Sequence, residues 1–321
     1  MGSMIQQIKD HLVSMGPKSP VVRLALKLHG RRNGFKITFP DTKISIQRED
    51  RVLILSERDF YLVPITLECF EQTFHEVQPD SVNGLTALDF SAPKAHRYRK
   101  HSLTLRFPGI AEDDSIAAYT HWYKPKTGDL VFDVGANAGF TTCMLSRMVG
   151  PEGRVIAFEP DRNNLMYLEN NLRDQRISNV TTVPGAIDAK TGIAYFNADG
   201  TMGAGLVEYS VYGNTGSHVA VETLSLQDAC SRFGKPSFIK MDIEGAEINV
   251  IEAASDFLKH QSIHLAFDSY HRMRDGRFTW MLLEPMLGAI GYEVDSSSEF
   301  GQMFTWARPP KSLNETLLRT E

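Results

Sequence analysis

The sequence predicts a doubly wound α/β domain over its C-terminal two-thirds, behind a small mixed N-terminal region. Three observations carry this. From about residue 128, short apolar runs alternate with helical periodicity: Leu130–Val134 then a helix from Thr141, Val155–Phe158 then a helix from Asp161, Val180–Pro184, Phe238–Met241 then a helix from Glu247, and Ile263–Phe267. Strands alternating with helices of this length imply βαβ units and a largely parallel sheet. A glycine-rich turn, Asp133-Val134-Gly135-Ala136-Asn137-Ala138-Gly139, joins the first of these strands to the first helix. An acid, Glu159, closes the second strand twenty residues after Gly139. Turn and acid are the ligand-holding parts of such a sheet.

Composition sets the outer limits. The 321 residues are 42% hydrophobic and 23% charged, enough for one large or two modest domains. No run approaches the roughly 18 apolar residues of a membrane helix, so no transmembrane segment is expected. Met1-Gly2-Ser3-Met4 reads as an expression remnant ahead of a native Met4, and no secretory signal pattern follows it. The cysteines, Cys69, Cys143 and Cys230, are odd in number and scattered, without metal spacing. They predict small buried hydrophobes in a reduced, cytoplasmic protein. Lys and Arg outnumber Asp and Glu by 18 to 14 in residues 1–127, whereas the remainder has 16 against 25. That balance excludes a nucleic-acid footprint. The one basic cluster, His96 to His101 with Arg97, Arg99 and Lys100, reads as a solvated loop, or else as a face for an acidic substrate.

The accessory region spans residues 4–100 and the α/β domain residues 101–321. Ile5, Ile8 and Leu12 form one helical stripe and Val21 to Leu28 another, separated by Gly16-Pro17. The apolar face of that first helix leaves a homodimer open. Residues 35–47 alternate around Pro40-Asp41 as a hairpin, Val52–Leu55 and Phe60–Ile65 are short strand or helix candidates, and residues 80–100 are turn-rich. Gly291–Val294 and Met303–Ala307 form a terminal hairpin at the sheet edge. The glycine-rich stretch Asn197–Gly216 is either a mobile lid or an edge hairpin with a long loop.

Four sites carry chemistry. Gly135 and Gly139 let the turn approach a ligand closely, and the helix beyond, from Thr141 and Thr142, offers free N–H donors. Glu159 can accept hydrogen bonds from both hydroxyls of a ribose, and Pro160 then opens the next helix. The acid at Asp133 would repel a pyrophosphate and suits an amino group. Asp242 and Glu244, in Lys240-Met241-Asp242-Ile243-Glu244-Gly245-Ala246-Glu247, sit where ligand crevices of open sheets lie. They could hold a divalent metal such as Mg2+, orient a base, bind the ligand's amino group, or simply cap the helix. Glu247 reads as ordinary first-turn charge. His271, after the next strand, can take a hydroxyl proton.

Together these strings resemble the FkbM-type methyltransferases. The matching residues are DVGANAGFTT (Asp133–Thr142), FEP (Phe158–Pro160) with Asn170-Asn171-Leu172 in the following helix, IKMDIEGAE (Ile239–Glu247) and SYHR (Ser269–Arg272), over about residues 110–300. The resemblance implies a class I methyltransferase (Rossmann-like) fold, a seven-stranded sheet with one antiparallel edge strand. It implies S-adenosylmethionine as methyl donor and a hydroxyl of a sugar or small metabolite as acceptor. Carried over by position, Asp133, Gly135, Asn137 and Gly139 line the methionine part, Glu159 holds the ribose, and Gly185, Ala186 and Ile187 lie against the adenine. The charged run Arg272 to Arg277 departs from the family's more apolar segment.

An O-methyltransferase follows, with His271 as base and Asp242 or Glu244 orienting it, or with those acids on a metal that acidifies the hydroxyl. The competing expectations are a nicotinamide-dependent oxidoreductase and a catalytically silent methyltransferase-like binding module.

Overall fold

The computed structural model describes residues 15–82, 84–107, 115–198 and 217–310. The Ile5–Leu12 stripe, the Met1–Met4 remnant and most of Asn197–Gly216 lie outside the described residues. The chain divides into two compact units, residues 1–111 and 112–321.

In the first unit, helix α1 (Pro20–Arg32) precedes β1 (Lys36–Thr38), β2 (Lys43–Arg48) and β3 (Arg51–Ser56). The hairpin over residues 35–47 is present, with Ile37 opposite Ile46. Phe60–Ile65 is helical: a 3-10 turn over Glu57–Leu62 runs into α2 (Val63–Glu68) and α3 (Phe70–Glu76). Strands β4 (Asp80–Val82) and β5 (Leu85–Phe90) complete a sheet of order β1-β2-β3-β5-β4. The basic cluster is split by a hairpin, β6 (Lys94–Tyr98) against β7 (Leu103–Phe107): His96 and Arg97 lie in the first strand, whereas Arg99, Lys100 and His101 form the connecting turn. Alternation along β6 buries His96 and Tyr98 and exposes Arg97 between them, while Arg99 and Lys100 are exposed in the turn.

The second unit opens with α4 (Ser115–Tyr119) and holds β8 (Leu130–Val134), α5 (Phe140–Val149), β9 (Arg154–Phe158), α6 (Arg162–Asp174) and β10 (Val180–Val183). After a small sheet, described below, come α7 (Leu226–Phe233), β14 (Phe238–Met241), α8 (Glu247–Leu258), β15 (His264–Asp268), α9 (Trp280–Ala289), β16 (Glu293–Ser297) and β17 (Phe304–Arg308). The main sheet is seven-stranded, in the order β10-β9-β8-β14-β15-β17-β16. Strands β8, β9, β14 and β15 are almost wholly buried, as a parallel sheet covered on both faces requires. The antiparallel strand is β17, and it lies one place in from the edge, between β15 and β16. The chain leaves β8 toward β9 and β10 on one side and reaches β14 and β15 on the other, so the order reverses between β8 and β14. Ligand crevices of open sheets form at that switch.

The small sheet has β11 (Gly185–Ile187) and β12 (Gly192–Ala198) flanking β13 (Ser217–Leu224). Among the described residues, no helix is long and apolar enough to cross a membrane.

Candidate active site

Four neighbouring parallel strands each end in a carboxylate: Glu159 after β9, Asp133 in β8, Asp242 after β14 and Asp268 in β15. This row of acids lines the carboxyl ends of the sheet across the switch point.

The glycine turn is held from several sides. Gly135 and Ala136 both donate their backbone N–H to the Phe158 carbonyl. Gly135 has φ +79°, and a Cβ there would sit 1.9 Å from the carbonyl oxygen of Asp242. Gly139 has φ +89°, and its Cβ would meet Leu168 at 2.4 Å. Asn137 occupies the left-handed region as well, at φ 49°. The sequence signal for glycine therefore has a packing cause: the turn is pressed against the segment that carries Asp242.

Glu159 is buried, and its carboxylate accepts the N–H groups of Asn137 (2.7 Å) and Asp161 (2.8 Å). Burial pushes its pKa up to about 7, against the pull of those two amides. Pro160 does not open the next helix. Asp161 is the N-cap, accepting from Asn163 and Asn164, and the helix starts at Arg162.

Asp133 and Thr142 are hydrogen-bonded to each other. Both are fully buried, and the Thr142 hydroxyl donates to Asp133 Oδ2 at 2.6 Å. Lys240 faces the other oxygen, Oδ1, at 3.2 Å and donates to the Gly135 carbonyl at 2.6 Å. Burial works to lower the Lys240 pKa, but Asp133, Asp242 and Asp268 outweigh it and hold the ammonium above its ordinary value. Sequence reading missed Lys240. Asn171, one of the residues that carry the family resemblance, donates to the Ala138 carbonyl at 2.8 Å, and Tyr119, which no motif marks, donates its hydroxyl to Asp242 Oδ2 at 3.3 Å. A lysine inside an otherwise apolar strand was the one available signal, because a buried ammonium requires a carboxylate partner.

Gly185, Ala186 and Ile187 form β11, paired in parallel with β13. All three are buried, and a Cβ on Gly185 would lie 2.8 Å from the Glu222 carbonyl. The Ala186 and Ile187 side chains belong to core clusters.

Asp242, Glu244 and His271 come together. His271 Nε2 lies 3.7 Å from Asp242 Oδ1 and 3.6 Å from Glu244 Oε2. Glu244 holds φ 58°, a costly conformation for a residue with a Cβ. Neither acid caps the following helix, whose N-cap is Ala246 with no side-chain bond. Glu247 is not surface charge either. It is fully buried, accepts from the N–H groups of Ile243 (2.7 Å) and Gly245 (2.9 Å), and lies 3.7 Å from His271 Nδ1. Its pKa is raised by burial and eased down by His271. Burial tends to lower the His271 pKa, yet Glu244, Glu247, Asp242 and Asp268 overcome it and carry it up to about 9. The Tyr270 ring leans on the imidazole, with centroids 4.7 Å apart.

The model of the Methyltransferase FkbM domain matches residues 133–306. The hexuronic acid methyltransferase AglP of Haloferax volcanii is 25% identical over 175 residues, 54% of this chain and 69% of that protein. A protein-L-isoaspartate O-methyltransferase of Aeropyrum pernix is 23% identical over 202 residues, 63% of this chain and 66% of that one. The crystal structure of an FkbM methyltransferase from Methylobacillus flagellatus is 18% identical with a TM-score of 0.44, and the match covers 78% of this chain and 54% of that one. The matched segment opens at Asp133 and spans the glycine turn, the row of acids and His271, and the chain belongs to the FkbM family of S-adenosylmethionine-dependent methyltransferases.

Proposed function

We propose that the protein is an O-methyltransferase acting on a hydroxyl of a sugar or other small metabolite. One observation carries this: the glycine turn and the Asp242–Glu244–His271 cluster share a wall, since Gly135 is in van der Waals contact with the Asp242 backbone. A donor seated on the turn and an oxygen seated on the cluster are thereby neighbours.

The residues fit the donor. Gly135 and Asn137 are the partly exposed members of the turn, and Glu159 stands behind them with an acceptor for ribose hydroxyls. When bound, S-adenosylmethionine supplies a methyl group already activated by its sulfonium. The chain's own task is alignment, exclusion of water and management of one proton. A hydroxyl must lose that proton as it attacks. Because Glu244, Glu247, Asp242 and Asp268 keep a proton on His271 at neutral pH, it does not act alone as the base. The cluster works as a unit, with Asp242 or Glu244 receiving the proton and His271 orienting them, the reverse of the roles expected from sequence.

The same charges favour a neutral oxygen over an anionic one. A carboxylate acceptor would enter beside Asp242 and Glu244, and like charges close together are unfavourable. The similarity to a protein named hexuronic acid methyltransferase supports a saccharide, and a uronic acid offers both kinds of oxygen. The test is transfer of labelled methyl from S-adenosylmethionine to neutral sugars and uronic acids, followed by mild alkali. Label that survives alkali is a methyl ether and is the expected result. Label released by alkali is an ester and overturns the hydroxyl assignment. Cofactor binding with no transfer to any acceptor would favour the silent binding module.

A further inference from the structure

We infer that Asp242, Glu244 and His271 form a site for one divalent transition-metal ion. The inference deepens the reading of this crevice and concerns the same residues, but does not depend on which acceptor is methylated.

His271 is only 7% exposed, and neither ring nitrogen has a hydrogen-bond partner. Its Nε2 nonetheless points at two carboxylates, 3.6 and 3.7 Å away. Those gaps are too long for hydrogen bonds. They are close to what a shared ion imposes: ligand atoms about 2.1 Å from a metal stand roughly 3.0–3.6 Å from one another at ordinary coordination angles. The three donor atoms all lie within 4.8 Å of one another. A few tenths of an ångström would bring each carboxylate to ion-sharing distance from the imidazole, and the two carboxylates need approach each other by about 1 Å at most.

The surroundings are those of a metal ligand set. The second oxygen of Asp242 accepts from Tyr119, which leaves Oδ1 turned toward His271. Glu247 stands behind Nδ1 at 3.7 Å and is itself pinned by two backbone N–H groups. A carboxylate behind the far nitrogen keeps the proton there and presents Nε2 as the ligand. Three carboxylates against one imidazole also leave negative charge unbalanced, because Lys240 is engaged by Asp133 and the Gly135 carbonyl. A dication would offset it.

The donor set selects the ion. Mg2+ prefers an all-oxygen octahedron and keeps much of its water. One imidazole with two carboxylates suits Mn2+, Fe2+, Co2+ or Zn2+ better. Three protein ligands leave coordination positions open, where an ion would take over from the carboxylates the task of acidifying the hydroxyl.

The test is calorimetric titration of the full chain with Mn2+ and separately with Mg2+, with the Mn2+ electron paramagnetic resonance signal read in parallel. The samples are wild type, His271→Ala, Asp242→Asn, Glu244→Gln and, as a control on an exposed histidine, His260→Ala. The expected result is one Mn2+ per chain, bound at least tenfold more tightly than Mg2+. That binding weakens at least tenfold in the three crevice variants and is unchanged in His260→Ala. No bound Mn2+ in wild type overturns the site, as does undiminished binding in Glu244→Gln, whose partly exposed side chain makes it the variant that keeps its fold. S-adenosylhomocysteine titrated into the same samples separates the two readings. Cofactor binding and transfer without Mn2+ binding removes the metal site alone, and Mn2+ binding without transfer removes the proposed activity alone.

Discussion

Lys240→Met is expected to destabilise the second unit by about 3–5 kcal/mol, the cost of leaving a buried charge without its partner. Lys240 is 3% exposed and Asp133 is fully buried, and the ammonium is also the donor to the Gly135 carbonyl. Methionine fills the volume but strands the Asp133 carboxylate and the turn carbonyl together. The melting temperature should fall by roughly 10 °C for a unit of this size. Pairing the change with Asp133→Asn should return part of the loss, because the stranded charge is then gone. A melting temperature within 2 °C of wild type (roughly the shift of 1 kcal/mol or less) would show that the pair does not hold the turn.

His271→Ala is expected to lower turnover by roughly 10²–10⁴-fold, the usual worth of a positioned acid–base group, with S-adenosylhomocysteine affinity unchanged within about twofold. The imidazole's charged neighbours are Asp242, Glu244 and Glu247, whereas the turn is held by Lys240, Asn171 and the Phe158 carbonyl. Removal should therefore spare the donor site. The loss is expected whether the ring orients carboxylates or ligates an ion. Undiminished turnover would remove His271 from the mechanism, and a parallel loss of cofactor affinity would mark it as structural instead.

Much of this architecture was legible because it is written locally. Continuous apolar runs such as Val155–Phe158 announce strands buried on both faces, and Gly135 and Gly139 mark a turn with no room for side chains. What escaped depends on partners far apart in the chain. Lys240 reaches a carbonyl 105 residues away, and Tyr119 an acid 123 residues away. Glu247 looked like helix charge because its position in α8 is the first turn, and only tertiary packing buries it against His271. Helix α9 was hidden by Pro285, which reads as a stop yet lies inside it. Strands β12 and β13 pair as the hairpin that was one of the two alternatives for the glycine-rich stretch, whereas the parallel β11–β13 pair escaped because it joins segments more than thirty residues apart. The choice of S-adenosylmethionine over nicotinamide drew on the glycine turn, on Asp133 at its head and on the family resemblance; the Asp133 side chain proves to face Lys240 and Thr142, and family membership decides the choice.

The donor site at the glycine turn and Glu159 is the assignment on which the rest depends. Isothermal titration of the full chain with S-adenosylhomocysteine, repeated on Glu159→Ala, tests it most directly. Micromolar binding by wild type that falls at least a hundredfold in a folded Glu159→Ala is the expected result, since the ribose loses its acceptor and the Asn137 N–H loses its partner. Absent binding by wild type, or equal binding by both proteins, would contradict the site.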